Sequence, residues 1–204
     1  MRKLNFFLRA RIRLKSKPTG QDLISVGSRK LSTSGIKNAA KEAKILLSFS
    51  LGFDSSNTEM LLSPVIDPVQ IRNFYTVLEE RIKHKPIAKI IGKKMFYKDE
   101  FVVNEHVLDP RPETEILVTT ALESDFSSVL DLGTGSGCIL ISLLRENTRA
   151  YGLGIDLSDG ALEIAQKNGQ VLGVSDRVIF MKSNWFEKVK SKFDIIVSNP
   201  PYIS

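Results

Sequence analysis

Residues 129–144 read VLDLGTGSGCILISLL, which is a short apolar run, three alternate glycines and a second apolar run. The first run predicts a buried strand, and the spacing of Ile139, Leu140, Leu143 and Leu144 predicts a helix after the loop. Glycine lets a backbone approach a ligand closely and adopt positive φ, and a helix N-terminus favours negatively charged groups. The stretch therefore predicts a strand, loop and helix unit whose loop binds a ligand.

The spacing of the glycines argues against two common nucleotide loops. A dinucleotide loop needs Gly-x-Gly-x-x-Gly, whereas this loop reads Gly-x-Gly-x-Gly and continues with Cys138. No Lys-Ser or Lys-Thr pair follows, as a Walker phosphate loop requires. The candidate cofactor-binding residues of the loop are Gly133, Thr134, Gly135, Ser136 and Gly137.

Two later strand patterns end in candidate ligand-binding residues. The next pattern ends at Asp156, whose carboxylate is well placed to accept both hydroxyls of a ribose. Its competing interpretation is a helix N-cap, a role that Ser158 or Asp159 can equally take. The third pattern precedes Trp185, the only tryptophan of the chain. Trp185 is a candidate for the edge of an adenine pocket, although a single tryptophan is often simply a core residue.

The fourth strand pattern, residues 193–199, leads into Asn199, Pro200, Pro201 and Tyr202. The amide oxygen of Asn199 and the carbonyl of Pro200 can accept the two hydrogens of a planar NH2 group, against which Tyr202 can pack. The competing interpretation is that the two prolines only end the strand. We take all four as candidate substrate-binding residues for methylation of a planar nitrogen. Asn199, Pro200 and Tyr202 are the candidate catalytic residues, and Asn199 is also a candidate cofactor contact.

A further motif lies upstream, where residues 96–115 read FYKDEFVVNEHVLDPRPETE. With the glycine loop and the Asn-Pro-Pro-Tyr turn, it resembles S-adenosylmethionine-dependent methyltransferases, and more narrowly the release factor glutamine N5-methyltransferase family (PrmC/HemK-like). The resemblance runs from about Glu79 to Ser204. It implies an enzyme that uses S-adenosyl-L-methionine to methylate the glutamine side-chain amide of a Gly-Gly-Gln motif in a class 1 peptide-chain release factor. No metal is expected, because the two histidines, His84 and His106, lie far apart in sequence and the single cysteine, Cys138, adjoins the glycine loop.

Two other functions stay open on the sequence alone. One is an adenine or exocyclic-amine methyltransferase on DNA or RNA, because the turn suits any planar NH2 group and a flipped base can enter such a site. The Pro-Arg-Pro-Glu-Thr-Glu box argues against it. The other is an inactive truncated fragment. Four strand patterns follow the hairpin motif, whereas complete domains of this class have seven, so we expect a chain that is truncated after the turn and poorly stable or inactive alone.

The resemblance and the alternating patterns together predict the fold class and the domains. We expect an α/β fold, with a Rossmann-like class I S-adenosylmethionine-dependent methyltransferase domain that is C-terminally incomplete, preceded by a small helical domain and a β-hairpin linker. The predicted parts are a basic, disordered leader (1–34), a helical substrate-docking domain (35–90), the hairpin linker (91–112) and the partial methyltransferase domain (113–204).

The charge of the chain is unevenly distributed. The net charge is +6, but residues 1–44 carry 12 Lys and Arg against 2 Asp and Glu, which leaves the remainder slightly acidic. A basic start favours an unstructured extension, with a transit peptide or an RNA-contacting arm as alternatives. The acidic remainder argues against nucleic acid as the methylated substrate. No apolar run is long enough for a membrane span. We expect a monomer in the cytoplasm, with the mitochondrion as the alternative.

Overall fold

The computed structural model describes residues 18–53 and 66–200. The chain divides into two compact units, Met1–Ile91 and Gly92–Ser204. Within the described residues, no helix combines the length and the apolar character that crossing a membrane requires.

The first unit is helical in its described part. Its helices are α1 (Gly20–Thr33), α2 (Ala39–Leu51), α3 (Pro68–Ile82) and α4 (Ile87–Ile91). Local sequence explains where two of them begin. Thr19 and Asp22 form a capping box at the start of α1, and Asp67 and Gln70 form another at the start of α3. The helices enclose a core that includes Leu46, Leu47, Phe74 and Leu78.

The prediction of a disordered leader over residues 1–34 is wrong for its second half. Helix α1 occupies residues 20–33, and its Leu23 and Leu31 are buried in the core of the first unit. Gly27 allows α1 to pack closely, because a Cβ at this position would lie 2.8 Å from the ring of Phe74. The basic composition suggested disorder, but the burial of these two leucines stabilises the helix. Residues 1–17 lie outside the described part of the chain.

The second unit begins with an antiparallel hairpin of β1 (Lys93–Phe96) and β2 (Asp99–Val102). This hairpin, predicted as part of a linker, contributes Phe96 and Phe101 to the same core as the methyltransferase-like region. The two rings meet edge to face, with centroids 6.1 Å apart. Asp99 also pairs with Arg145 at 2.7 Å, so the hairpin is held by both packing and charge.

The rest of the described second unit alternates helices and strands. A 3₁₀ turn (Pro112–Thr114) precedes α5 (Glu115–Leu122), β3 (Ser128–Leu132), α6 (Cys138–Glu146), β4 (Tyr151–Asp156), α7 (Asp159–Val171), β5 (Val178–Lys182), a second 3₁₀ turn (Trp185–Lys188) and β6 (Ile195–Ser198). All neighbouring strands in the sheet are parallel, in the order β5-β4-β3-β6. The predicted α/β fold with a parallel sheet is confirmed.

The sheet register places the ends of three strands side by side. Leu132, the last residue of β3, lies opposite Ile155 in β4 and Ser198 in β6. Because parallel strands share a direction, the residues that follow β3, β4 and β6 emerge at the same edge of the sheet. Helix α6 packs on one face of the sheet with residues 138–144 all buried, which anchors the loop between β3 and α6.

Candidate active site

The glycine loop, residues 133–137, leaves β3 with its backbone held against β4. The backbone N–H groups of Gly133 and Thr134 both donate to the carbonyl of Ile155, at 2.9 and 2.8 Å. Gly133 and Gly135 have φ of +72° and +55°, and a Cβ added at either position would have no heavy atom within 4 Å. Positive φ favours glycine, and the open space leaves bare backbone at the end of the sheet.

Asp156, at the end of β4, holds the glycine loop directly. Its Oδ2 accepts from the backbone N–H of Gly135 at 2.9 Å, and its Oδ1 accepts from the N–H of Ser158 at 3.0 Å. Helix α7 is capped by Ser158, whose hydroxyl accepts from the N–H of Ala161 at 3.2 Å. Asp156 is therefore not the N-cap, and the remaining lone pairs of its carboxylate can accept further hydrogen bonds.

Asp131 is a buried acid that contacts the glycine loop and was not among the predicted site residues. The hydroxyl of Thr134 donates to its Oδ2 at 2.7 Å, and both residues are buried. Burial raises the pKa of Asp131 to about 7, the Thr134 hydrogen bond opposes that rise, and the charge of Asp156 adds to it. The signal in the sequence was an acid inside an otherwise apolar strand, two positions before the first glycine of the loop.

Cys138 begins α6 directly after the loop. It is buried, and burial raises the pKa of its thiol to about 12. The side chain is therefore a neutral thiol that packs in the core at neutral pH.

Asn199 lies at the end of β6, and its side chain is held by a residue from the Pro-Arg-Pro-Glu-Thr-Glu box. Its Nδ2 donates to Oγ1 of Thr114 at 2.8 Å. The preceding residue, Ser198, donates its hydroxyl to the carbonyl of Leu132 at 2.8 Å, which ties the end of β6 to β3. No pattern in the sequence indicates the contact with Thr114, because the two residues are 85 positions apart.

Trp185 has an unusual backbone conformation for a bulky residue. Its φ is +46°, and its side chain is 52% exposed. Ser183 supports this conformation, because its hydroxyl donates to the carbonyl of Trp185 at 3.0 Å and accepts from the N–H of Lys188 at 3.1 Å. A strained residue of this kind persists only where its surroundings impose it, which is common at ligand sites.

One cleft of about 600 Å³ at the end of the sheet is lined by the glycine loop except Gly137, and by Asp156, Cys138, Trp185 and Asn199, but not by the buried Asp131. Its lining includes the following predicted site residues: Gly133, Thr134, Gly135, Ser136, Asp156, Trp185, Asn199 and Pro200. Gly137 does not belong to the lining, since a Cβ there would lie 2.8 Å from Ile141 and 3.3 Å from Ala165. Pro201 and Tyr202 lie outside the described residues.

A smaller cleft of about 270 Å³ adjoins the first. Arg111, Thr114 and Asn199 line both clefts. Glu113, Leu117 and Ser198 line the small cleft alone. The hydrogen bond between Thr114 and Asn199 therefore lies at the border between the two spaces.

Comparison with known proteins agrees with the geometry. The methyltransferase small domain family matches residues 96–204, and the PrmC N-terminal domain matches residues 22–92. The release factor glutamine methyltransferase of Cereibacter sphaeroides is 39% identical over 183 residues, which cover 90% of this chain and 66% of that protein. The bifunctional methyltransferase of Rickettsia felis is 39% identical over 216 residues, covering 90% of this chain and 41% of that protein.

Among solved structures, an S-adenosylmethionine-dependent methyltransferase from Thiobacillus denitrificans in complex with S-adenosyl-L-homocysteine is 32% identical with a TM-score of 0.39, covering 46% of this chain and 39% of that one. The chain spans 41% to 66% of the length of the two curated relatives. The resemblance inferred from the sequence motifs is confirmed by the two family matches and these relatives. The chain belongs to the methyltransferase small domain family, as a PrmC-type member that also carries a PrmC N-terminal domain.

Proposed function

We propose that the protein methylates the side-chain amide nitrogen of a glutamine in a class 1 peptide-chain release factor, with S-adenosyl-L-methionine as methyl donor. Relatives of the chain from Cereibacter sphaeroides and Rhodospirillum rubrum carry the name release factor glutamine methyltransferase. The observation that carries the proposal is geometric. Gly135 and Asn199, which are far apart in sequence, line the same cleft.

The cleft suits the methyl donor in size and chemistry. Its volume of about 600 Å³ lies within the range of small-molecule sites. The bare backbone of the glycine loop would hold the methionine end, Asp156 would accept from the ribose hydroxyls, and Trp185 would flank the adenine. When bound, S-adenosyl-L-methionine supplies an electrophilic methyl group on its sulfonium. The glycine loop, Asp156 and Trp185 would fix the position of the cofactor and exclude water from its reacting end.

The acceptor end of the proposed site is built around Asn199. Its Oδ1 and the carbonyl of Pro200 would accept the two N–H groups of the glutamine amide, which orients the nitrogen toward the methyl group. These hydrogen bonds would also increase electron density on a nitrogen whose lone pair is otherwise delocalised into its carbonyl. As the C–N bond formed, the bond between sulfur and the methyl carbon would break, and the nitrogen would release one of its two protons. Tyr202, as predicted from the sequence, would pack on the flat face of the amide.

The test is a transfer assay with mass-spectrometric localisation of the product. In three separate reactions, the full chain is incubated with methyl-labelled cofactor and one possible substrate, which is a class 1 release factor, DNA or RNA. We expect label only on the release factor, on one glutamine side chain, and loss of transfer in Asn199→Ala. Label on nucleic acid would overturn the proposal. No label on any substrate from a folded protein that binds S-adenosyl-L-homocysteine would also overturn it, and would favour the inactive fragment that the sequence left open.

We further propose that the protein acts as a monomer, in the cytoplasm or, given its basic start, in a mitochondrion. Light scattering of the purified chain tests the first point, and imaging of a C-terminally tagged chain tests the second. A stable dimer would contradict the proposed monomer. A tagged chain that is secreted or associated with a membrane would contradict the proposed location.

A further inference from the structure

We infer that Thr114 is a positioning residue that holds the Asn199 carboxamide with its Oδ1 free to accept from a substrate. The effect of this contact on methylation rests on the proposed function, whereas the orientation of the Asn199 carboxamide can be measured without any methylation assay. The inference starts from the 2.8 Å hydrogen bond in which Nδ2 of Asn199 donates to Oγ1 of Thr114.

Thr114 is held in place independently of Asn199. It ends the first 3₁₀ turn, where its backbone N–H donates to the carbonyl of Arg111 at 3.0 Å. The next residue, Glu115, begins α5 and accepts from the backbone N–H of Tyr97 at 3.0 Å. The turn is thus tied to the hairpin, and the Thr114 hydroxyl is a fixed point for the side chain opposite.

The backbone of Asn199 is fixed from the other side. Residue 198 pairs with Leu132 at the end of the sheet, and its hydroxyl donates to the carbonyl of that leucine. The carboxamide of Asn199 nevertheless keeps its rotation about the bond between Cβ and Cγ, which has two nearly equivalent states. In the structure, the hydrogen bond to Thr114 holds the carboxamide in the state in which Nδ2 faces Oγ1 of Thr114.

The two states differ in what they offer to a substrate. With Nδ2 engaged by Thr114, Oδ1 lies on the other side of the carboxamide carbon and can accept a hydrogen bond. A glutamine amide nitrogen carries only donors, so it needs Oδ1. In the flipped state, N–H would face N–H, and the substrate amide would lose its partner. Since both side chains line both clefts, this choice is made at the border where donor and acceptor would meet.

Three variants isolate the contact. Thr114→Val removes the oxygen and keeps the shape, and Thr114→Ser keeps the oxygen. Thr119→Val in α5 is the matched control, because the hydroxyl of Thr119 is exposed and bonds only to carbonyls of its own helix, at 3.3 and 2.9 Å. Melting temperatures of all three establish that each variant folds.

The first measurement is the NMR signal of the Asn199 side-chain NH2, assigned through its disappearance in Asn199→Asp. In the unaltered protein, Thr114→Ser and Thr119→Val, one of its two protons should exchange slowly with water. In Thr114→Val both should exchange fast and the two chemical shifts should converge. An Asn199 signal that is unchanged in Thr114→Val would overturn the inference.

The second measurement is kinetic. In Thr114→Val we expect kcat/KM for the release factor to fall about tenfold, the size of one hydrogen bond. The dissociation constant of S-adenosyl-L-homocysteine should stay within about twofold, and Thr114→Ser should restore most of the rate. Equal losses in Thr114→Val and Thr119→Val, or a parallel loss of cofactor affinity, would contradict positioning. If the unaltered protein methylates nothing, the proposed function fails while the NMR result still decides the orientation.

Discussion

Replacement of Asn168 by Asp tests how the second unit holds its glycine loop. Asn168 lies in α7 and is fully buried. Its Oδ1 accepts from the N–H of Val102 at 2.7 Å, and its Nδ2 donates to the carbonyls of Val102 and Ser136, at 3.0 and 2.8 Å. One amide therefore joins the end of β2, the glycine loop and α7, and it uses both donors and its acceptor.

Aspartate keeps the acceptor and loses both donors. The buried carbonyl of Ser136 and the half-buried carbonyl of Val102 then lose this partner, and each such group costs about 1–3 kcal/mol. We expect Asn168→Asp to lower the free energy of unfolding by about 2–6 kcal/mol. A carboxyl that takes up a proton regains one donor, so the loss should grow as the pH rises.

Urea unfolding followed by circular dichroism measures this loss. Gln166→Glu is the matched control, because it makes the same change from amide to acid at an exposed position of the same helix. We expect the control to stay within about 0.5 kcal/mol of the unaltered protein. If Asn168→Asp is as stable as Gln166→Glu at pH 7, the three hydrogen bonds do not hold the loop and the reasoning fails.

Three further predictions concern the loop and two carboxyl groups. Gly135→Ala and Gly173→Ala should each lower the free energy of unfolding by about 1–2 kcal/mol, since both positions have positive φ and open surroundings. Only Gly135→Ala should weaken the binding of S-adenosyl-L-homocysteine, as measured by calorimetry. Because the pKa of Asp131 is raised from 3.8 to about 7, the protein binds the proton more tightly when folded. Relative to Asp131→Asn, the unaltered protein should therefore become less stable as the pH rises from 3.8 to about 7. Urea titrations should show a loss of up to about 1.4 kcal/mol in the free energy of unfolding for each pH unit. The pKa of Asp194 is lowered to about 2, mainly by the hydrogen bond from the backbone N–H of Ser127. The ionised carboxylate should therefore stabilise the fold above pH 3.8, and this stabilisation should disappear as the pH falls toward 2. Acid unfolding of Asp194→Asn should lack this pH dependence.

Each of these has a contradicting result. Equal cofactor affinity in the two glycine variants would place the ligand away from Gly135. A pH profile of Asp131→Asn that parallels the unaltered protein would mean that Asp131 is ionised in the fold. Identical acid transitions with and without Asp194 would show that its hydrogen bonds to the start of β3 are too exposed to matter.

The central part of the fold could be predicted because its signals are local. The apolar run, the alternate glycines and the helical spacing in residues 129–144 identify one strand, loop and helix unit. Ser158 can cap the helix after β4, which leaves Asp156 available for a ligand, and in the structure Ser158 is the cap. Parallel strands then bring separate strand ends to one edge, which is a property of the topology.

What the sequence could not supply depends on distant partners. Helix α1 has a local capping box, but its Leu23 and Leu31 are stabilised by burial in a core shared with α2 and α3. Basic composition was the stronger signal and gave the wrong answer. Gly137 looks like its neighbours in sequence, yet it faces the core rather than the cleft, because a Cβ there would lie 2.8 Å from Ile141. The contact of Thr114 with Asn199 crosses 85 positions and has no periodicity to reveal it.

The claim that a methyl donor and an amide acceptor share one cleft is tested most directly by NMR. S-adenosyl-L-homocysteine is titrated into the ¹⁵N-labelled chain while the backbone signals of Gly133 and Gly135 and the side-chain NH2 of Asn199 are followed. We predict that all three shift with one common dissociation constant, because the three groups line one space. Saturation of the glycine signals with no change at Asn199 would contradict the account.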